Sequence, residues 1–229
     1  MWNRRLMIWR VVLTGLAVGA ALAAQTPPTT THPISGRRFA PVMGYQGADW
    51  LDREERDIEE APDKALDALS LASGMTVADI GAGSGYMTVR MARRVGPTGR
   101  VFAEDIQPQM IDLLRRRLTR ERLDNVTAVL GTIDDPKLPA DSIDLALLVD
   151  VYHEFSEPVK MLAGLRTALR AGGRLVLLEY RKEDPSVPIR FEHKMSIAEA
   201  KAEIEASGFT LASVDGRLPR QHILIFIRP

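Results

Sequence analysis

A glycine-rich turn is the first feature of this sequence with a chemical meaning. The segment from Asp79 to Tyr86 reads DIGAGSGY, with glycines at positions 81, 83 and 85. Gly81 allows a tight turn, and Gly83 and Gly85 let the backbone approach a ligand closely. The helix predicted after the turn offers free N–H groups and a partial positive charge to a carboxylate or a phosphate. The turn is therefore a candidate binding loop.

An acid on the next predicted strand extends this candidate site. Asp105 closes that strand, where a carboxylate can accept hydrogen bonds from both hydroxyls of a ribose. The dinucleotide fingerprint requires G-x-G-x-x-G, and here Tyr86 occupies the place of its last glycine. This spacing disfavours NAD, so a nicotinamide-dependent oxidoreductase is the less favoured alternative. A tight turn without any ligand is the other alternative, and the order strand, loop, helix and acid argues against it.

The elements that must position these residues alternate along the chain. Strands are predicted over 76–80, 101–105, 126–130, 143–149, 175–180, 210–216 and 222–227, with helical patterns between most of them. The fourth segment is almost continuously apolar, as a strand covered on both faces must be. This alternation predicts an α/β fold, a seven-stranded and mostly parallel sheet with helices on both faces.

Polar residues collect where the fourth and fifth predicted strands end. In an open sheet, ligands bind beyond the carboxyl ends of the strands where the strand order reverses, so Gly81 and Asp150 should be neighbours. The side chains that follow these strands are Asp150, Tyr152, His153, Glu154, Glu179 and Tyr180. His153 is the best candidate for a general base, because its intrinsic pKa lies near neutral pH. A structural histidine at a strand–helix junction is the alternative.

Three segments carry a resemblance to a known family. DIGAGSGY, FAEDIQPQM and LLVDVYHEF resemble the successive motifs of class I S-adenosylmethionine-dependent methyltransferases, and the resemblance covers residues 40–229. It implies a Rossmann-like sheet whose last strand is antiparallel, with S-adenosylmethionine as the cofactor. The lead-in SGR…APVMGYQGADWL is similar to that of exported or predicted small-molecule methyltransferases of unassigned substrate. Methyl transfer to an unidentified small-molecule acceptor is the function that this implies.

The resemblance also implies a set of cofactor contacts. The glycine loop would line the methionine part with Asp79 near its amino group, Asp105 would hold the ribose, and Ile106 would flank the adenine. The candidate cofactor-binding residues are Asp79, Gly81, Ala82, Gly83, Gly85, Asp105, Ile106, Ile133 and Asp150. Family members usually have Gly-Asp after the third strand, whereas this chain has Gly131-Thr132-Ile133. Asp134 or Asp135 is the candidate replacement for the missing acid.

His153 and Asp150 are the candidate catalytic residues, and Asp150 is expected to shape the cofactor end of the site more than to take part in the chemistry. The chain has no cysteine, which excludes a thiolate adduct. Glu179-Tyr180 stands where catechol-type enzymes carry an Asp-Asn pair, so no metal is expected. A module that binds S-adenosylmethionine without catalysis is the alternative function.

Composition limits the partners. The 229 residues include 30 basic and 30 acidic side chains, which gives no support to nucleic-acid binding. The densest basic run is expected to be a solvated helix face and consists of Arg115, Arg116, Arg117, Arg120 and Arg122. The sequence leaves the oligomeric state open.

The first residues are typical of an export signal. Arginines at 4, 5 and 10 precede an apolar run that ends in alanines, and this predicts a signal peptide over residues 1–24. An uncleaved inner-membrane anchor is the alternative, and membrane contact is expected only through such a leader. Residues 25–36 are predicted to be a flexible linker, residues 37–74 an N-terminal lead-in with helices, and residues 75–229 the methyltransferase domain. The predicted location is the periplasm.

Overall fold

The computed structural model describes residues 30–229, so the predicted signal peptide lies outside the described residues. The strands are β1 (Thr76–Ile80), β2 (Arg100–Asp105), β3 (Val126–Leu130), β4 (Ile143–Val149), β5 (Leu169–Tyr180), β6 (Thr210–Asp215) and β7 (Gln221–Ile227). The α-helices are α1 (Ala48–Leu51), α2 (Arg56–Glu60), α3 (Pro62–Ala68), α4 (Tyr86–Val95), α5 (Pro108–Glu121), α6 (Pro158–Ala168) and α7 (Ile197–Ala206). No helix within this part of the chain is long and apolar enough to cross a membrane.

All seven strands form one sheet in the order β3-β2-β1-β4-β5-β7-β6. Strands β1 to β5 are parallel, and β7 runs antiparallel to both β5 and β6. The order reverses between β1 and β4, which is where an α/β sheet opens a crevice at its carboxyl edge. The predicted α/β, Rossmann-like and mostly parallel sheet with an antiparallel last strand is confirmed.

Strand β5 begins earlier than the sequence predicts. The predicted strand starts at residue 175, after the glycine pair at 172–173, but β5 already pairs with β4 at Leu169. The pairing register shifts between Ile143 and Leu145, and Gly172 adopts a φ of +74°. A positive φ is available to glycine without steric cost, so the chain bulges there and then continues as a strand.

Two apolar layers bury the two faces of the sheet. Alternate side chains of β1 point to opposite faces, so Val77 belongs to one core and Ala78 to the other. The core that contains Val77 includes Leu66 of α3 and Met91 of α4. The other core includes residues of α6 and α7 such as Leu162 and Ile204. Helices therefore cover both faces, as predicted.

The segment just before the lead-in is packed against the domain. Residues 30–36 fall inside the predicted flexible linker, yet Thr31 forms an isolated bridge with Arg38 and His32 is buried. Arg37 Nε lies 2.9 Å from Glu203 Oε1 on α7, and both side chains are buried. Arg37 Nη1 also donates a hydrogen bond to the carbonyl oxygen of His153 at 3.0 Å. These polar contacts hold the segment in place, and a pattern of apolar residues cannot predict them.

Candidate functional site

A cavity of about 520 Å³ opens at the carboxyl ends of β1, β2, β4 and β5. Its floor is formed by the strand ends and the turns that follow them. The lead-in covers one side through Met43, Trp50 and Leu51, and the loop before α7 covers another through Ile189 and His193. A volume of this size lies in the range of about 300–1,000 Å³ that small-molecule sites occupy.

The glycine loop forms one wall of this cavity. Gly81 and Gly83 line it, with φ values of +66° and +55° that side-chain-bearing residues rarely adopt. The backbone N–H of Gly83 donates a hydrogen bond to Asp105 Oδ2 at 2.9 Å, and that of Gln107 donates to Asp105 Oδ1 at 2.8 Å. Burial raises the pKa of Asp105, while these hydrogen bonds lower it. Asp105 therefore holds the loop and also faces the cavity.

Three of the predicted contacts around the loop lie away from the cavity lining. Asp79 points toward α4, where its carboxylate accepts a hydrogen bond from Thr88 at 2.5 Å, and burial raises its pKa to about 6. A Cβ at Gly85 would lie 2.6 Å from Leu114 Cδ1, so this glycine serves the packing of α4 against α5. Ala82 is buried in the core beneath α5 and is also absent from the cavity lining.

The apolar wall beyond β2 agrees better with the sequence analysis. Ile106 and Ile133 both line the cavity. The two proposed replacements for the missing acid do not reach it: Asp134 accepts a hydrogen bond from Thr132, and Asp135 bonds Lys137. This wall therefore offers apolar contacts, such as the flat face of a purine could use.

Glu104 is a buried acid that the sequence analysis overlooked. It lines the cavity beneath the glycine loop, and its Oε1 atom has no hydrogen-bond partner in the described chain. Burial, together with the neighbouring charge of Asp105, raises the pKa of Glu104 to about 8. An acid at the end of an otherwise apolar strand indicates a possible site residue. Both Glu104 and Asp105 fit this pattern, but only Asp105 was predicted to lie in the site.

Asp150 ends β4 beside the glycine loop, as the strand order predicts. Its φ of +52° is unusual for a residue with a side chain. The Oδ2 atom accepts a hydrogen bond from Gln221 at 2.6 Å, whereas Oδ1 has no partner among residues 30–229. Burial raises the pKa of Asp150 well above its ordinary value, and the carboxylates of Glu60 and Glu179 raise it further.

A buried ion pair of the lead-in places its charges near Asp150. Arg56 Nε lies 2.7 Å from Glu60 Oε2, and the hydroxyl of Tyr180 donates to Glu60 Oε1 at 2.9 Å. The positive charge of Arg56 lowers the pKa of Asp150, against the larger effect of burial. Arg56 and Glu60 lie in a strongly charged stretch whose pattern is typical of a solvated helix, so nothing in the sequence indicates that they lie buried near Asp150.

The polar end of the cavity combines two turns and one strand. His153 follows β4, and its Nδ1 atom lies 2.6 Å from Oε2 of the buried Glu179 on β5. Its Nε2 atom lies 3.1 Å from Nδ1 of His193, which stands on the loop before α7. Glu154 Oε1 lies 4.0 Å from the same nitrogen of His193. The loop that carries His193 follows β5 and was predicted to lie at the ligand edge, but nothing in the sequence pairs His193 with His153.

This grouping changes what His153 can do. Glu179 Oε2 accepts a hydrogen bond from Nδ1–H of His153, so the other ring nitrogen, Nε2, faces His193. Burial raises the pKa of Glu154 to about 7 and lowers the pKa of His193. No metal is expected from the sequence, yet one potential ligand atom each from His153, Glu154 and His193 lies within 4.8 Å of the other two.

The comparisons with known proteins agree with this geometry. The family described as "Methyltransferase domain" matches residues 71–215, which is more than half of the chain. The chain belongs to the methyltransferase family. The part matched contains the glycine loop, Asp105, Asp150 and His153. The resemblance to class I S-adenosylmethionine-dependent methyltransferases is confirmed.

Relatives of this methyltransferase differ in their acceptors. A protein-L-isoaspartate O-methyltransferase of Methanothrix thermoacetophila is 36% identical over 114 residues, which are 48% of this chain and 50% of that protein. A ubiquinone/menaquinone biosynthesis C-methyltransferase of Hahella chejuensis is 30% identical over 125 residues, 54% of this chain and 49% of that protein. The chain thus spans about half the length of these relatives.

A solved structure shares the fold of this methyltransferase. The S-adenosylmethionine-dependent methyltransferase of Aquifex aeolicus superimposes with a TM-score of 0.78 at 24% identity, over 82% of this chain and 100% of that one. The family match makes S-adenosylmethionine the cofactor of the methyltransferase, and the solved structure shows that the fold is shared.

The residues of the cavity fit this cofactor. A carboxylate offers about four acceptor positions, and Asp105 uses two of them on backbone N–H groups, which leaves two for ribose hydroxyls. Gly81 and Gly83 present bare backbone beside it. The buried Oδ1 atom of Asp150 lacks a partner in the described residues and is an acceptor for the ammonium of the methionine part.

Proposed function

We propose that the protein transfers a methyl group from S-adenosylmethionine to a small molecule that binds at the polar end of the cavity. The observation that carries the proposal is the enclosure of the site. The lead-in and the loop before α7 both cover it, so that Trp50 and Ile189 line the same cavity as the glycine loop. A macromolecular acceptor would need a more open surface.

The surface charge supports the same choice of acceptor. Arginines on α5 pair with acids: Arg117 lies 2.8 Å from Asp52, and Arg115 lies 3.6 Å from Asp112. Arg120 also lies 3.6 Å from Glu121, and these pairs reduce the positive charge that the helix offers to a polyanion such as a nucleic acid. A small-molecule acceptor therefore remains the proposal, and nucleic acid is not proposed as a partner.

Different side chains have different roles in the proposed reaction. When bound, S-adenosylmethionine supplies an electrophilic methyl group on a sulfonium, so the protein mainly has to align an acceptor with it. Asp105 binds and orients the nucleoside end. Asp150, whose pKa is raised by burial, shapes the methionine end, and His153 and Glu154 present polar atoms to the acceptor. The covering segments exclude water from the site.

A labelling experiment tests the proposal. Full-length protein is incubated with S-adenosylmethionine carrying an isotopically labelled methyl group and a small-molecule cell extract, and the products are analysed by mass spectrometry. We expect labelled small molecules that are absent when Asp105→Asn replaces the wild type. Cofactor binding without any labelled product would favour the non-catalytic binding module. Binding of NAD(H) in place of S-adenosylmethionine would favour the oxidoreductase.

We also propose that the domain is exported. The support is the basic and apolar pattern of residues 1–24, which lie outside the described part of the chain. Fractionation of the native cell followed by N-terminal sequencing tests this proposal. A mature protein that starts near residue 25 in the periplasm is the expected result. An intact N-terminus in the membrane fraction would favour the uncleaved anchor. A protein found in the cytosol would contradict both the signal peptide and the anchor.

A further inference from the structure

The geometry points to a divalent transition-metal site formed by His153, Glu154 and His193 at the polar end of the cavity. The three side chains come from two separate segments, the turn after β4 and the loop before α7. One ligand atom from each lies within 4.8 Å of the other two. All three residues line the cavity.

The separations of the ligand atoms agree with metal coordination. Ligand atoms of a tetrahedral site with metal–nitrogen distances of 2.0–2.1 Å lie about 3.3 Å apart. His153 Nε2 and His193 Nδ1 are 3.1 Å apart, and His193 Nδ1 and Glu154 Oε1 are 4.0 Å apart. A small rotation of the Glu154 side chain, which is 10% exposed, would close the longer separation.

Glu179 provides the outer support that such a site needs. Metal-binding histidines usually donate their second ring N–H to a carboxylate, which fixes the tautomer and the ring orientation. His153 Nδ1 lies 2.6 Å from Glu179 Oε2, and the Glu179 side chain is fully buried. This contact puts the proton on Nδ1 and leaves the lone pair of Nε2 free to bind a cation.

The donor set selects the kind of metal. Two imidazole nitrogens and one carboxylate suit zinc, iron, cobalt or nickel, whereas Mg²⁺ and Ca²⁺ prefer oxygen ligands only. Three protein ligands also leave a further position open, and here it faces the cavity. We assign that position to an oxygen atom of the acceptor. This last assignment rests on the proposed function, whereas the metal site itself does not.

The short distance between His153 Nε2 and His193 Nδ1 has one competing explanation. Without a metal, His193 Nδ1 would carry a proton and donate it to His153 Nε2, a hydrogen bond between neutral rings. The two arrangements differ in a measurable way, because only the metal site needs Glu154. A variant of that residue therefore separates them.

Metal titration tests the site. The full-length protein is stripped with a chelator, and Zn²⁺ and Co²⁺ are added in calorimetry and in visible absorption spectroscopy. We expect one bound equivalent and Co²⁺ absorption bands characteristic of nitrogen and oxygen ligands. His193→Ala and Glu154→Gln should each weaken binding at least tenfold, and Glu179→Gln should weaken it by about ten- to a hundredfold.

His222→Gln is the matched control, since His222 is also buried against a carboxylate, with its Nε2 atom 3.0 Å from Glu183 Oε2. It should bind the metal as the wild type does. His193 is partly exposed on a short turn, so its variant is expected to fold, and circular dichroism checks this. No binding by the wild type, or binding that the His193 and Glu154 variants leave unchanged, would overturn the proposal. The titration uses no S-adenosylmethionine, so its result does not depend on whether the protein transfers a methyl group.

Discussion

Asp105 anchors Gly83: the Oδ2 atom of the acid accepts a hydrogen bond from the backbone N–H of the glycine at 2.9 Å. Asp105 is the last residue of β2, and Gly83 lies in the turn after β1. One contact therefore joins two segments that are distant in the sequence. The same carboxylate is the proposed ribose acceptor. Loop shape and cofactor recognition are therefore coupled through a single side chain.

We expect Asp105→Asn to lower the affinity for S-adenosylmethionine by about ten- to a hundredfold, measured by calorimetry. The reason is that the amide group keeps only one acceptor oxygen, so one of the two hydrogen bonds from Gly83 and Gln107 is lost, and a charged acceptor contributes about 1.5–3 kcal/mol. Asp112→Asn, at an exposed position of α5, should leave the affinity unchanged. Equal affinities for the two variants would contradict the proposed role of Asp105.

Gly83→Ala is expected to reduce cofactor affinity by about tenfold, or about 1.4 kcal/mol. The new Cβ would lie 3.0 Å from Leu51 Cδ1 and would push on the segment that covers the cavity. Gly172→Ala is the matched control, because its φ of +74° carries the same backbone strain and nothing lies within 4 Å of its Cβ position. Both variants should lose about 1 kcal/mol of stability, and only Gly83→Ala should bind the cofactor less well.

Glu104 should make the stability depend on pH. Its pKa is about 8 in the folded protein and near 4.5 when exposed, so the folded state keeps a proton that the unfolded state releases. Its stabilising contribution is therefore complete below pH 4.5 and is lost as the pH rises through 8. The glutamine of Glu104→Gln cannot ionise. The free energy of unfolding of this variant minus that of the wild type should therefore be about 3–5 kcal/mol larger at pH 8 than at pH 4.5.

Urea unfolding at several pH values measures this difference. Glu54→Gln, at an exposed position, serves as the control and should follow the wild type at every pH. If wild type and Glu104→Gln keep a constant difference from pH 4.5 to 8, the side chain does not titrate in the way proposed.

Arg37→Met should destabilise the protein by about 3–5 kcal/mol, because it leaves the fully buried carboxylate of Glu203 without its partner. The double variant Arg37→Met/Glu203→Leu removes both charges and should recover most of the loss. Arg115→Ala, at an exposed ion pair, should change the stability by less than about 1 kcal/mol. A double variant no more stable than the single one would argue against this ion pair as the cause.

Trp50 should report cofactor binding. Its ring lines the cavity, is 43% exposed and stacks under Arg53 at 3.8 Å. Binding should remove water from the ring and shift its fluorescence to shorter wavelength. Trp50→Phe should abolish the shift while calorimetry still detects binding, and Trp9→Phe should keep it. A shift that persists in Trp50→Phe would place the cofactor elsewhere.

The apolar pattern carried most of the fold prediction. Six of the seven predicted strands begin and end within one residue of those observed, because a buried strand needs a continuous or alternating apolar run that local sequence records. The exception is β5, where a bulge at Gly172 allows pairing before the apolar run begins. Loop chemistry was less predictable: Asp79 and Gly85 belong to the same motif as Gly83, yet they serve packing against Thr88 and Leu114.

The sequence by itself determined the parallel sheet, the glycine loop and the acid at position 105, since each depends on residues close together in the chain. Only the tertiary structure decided which polar groups meet. His153 and His193 come together because the turn after β4 and the loop before α7 fold over one edge of the sheet. The charge of Arg56 acts on Asp150 for the same reason, because α2 folds back onto that edge. A local pattern shows that a residue is polar, but only packing shows which cavity it faces.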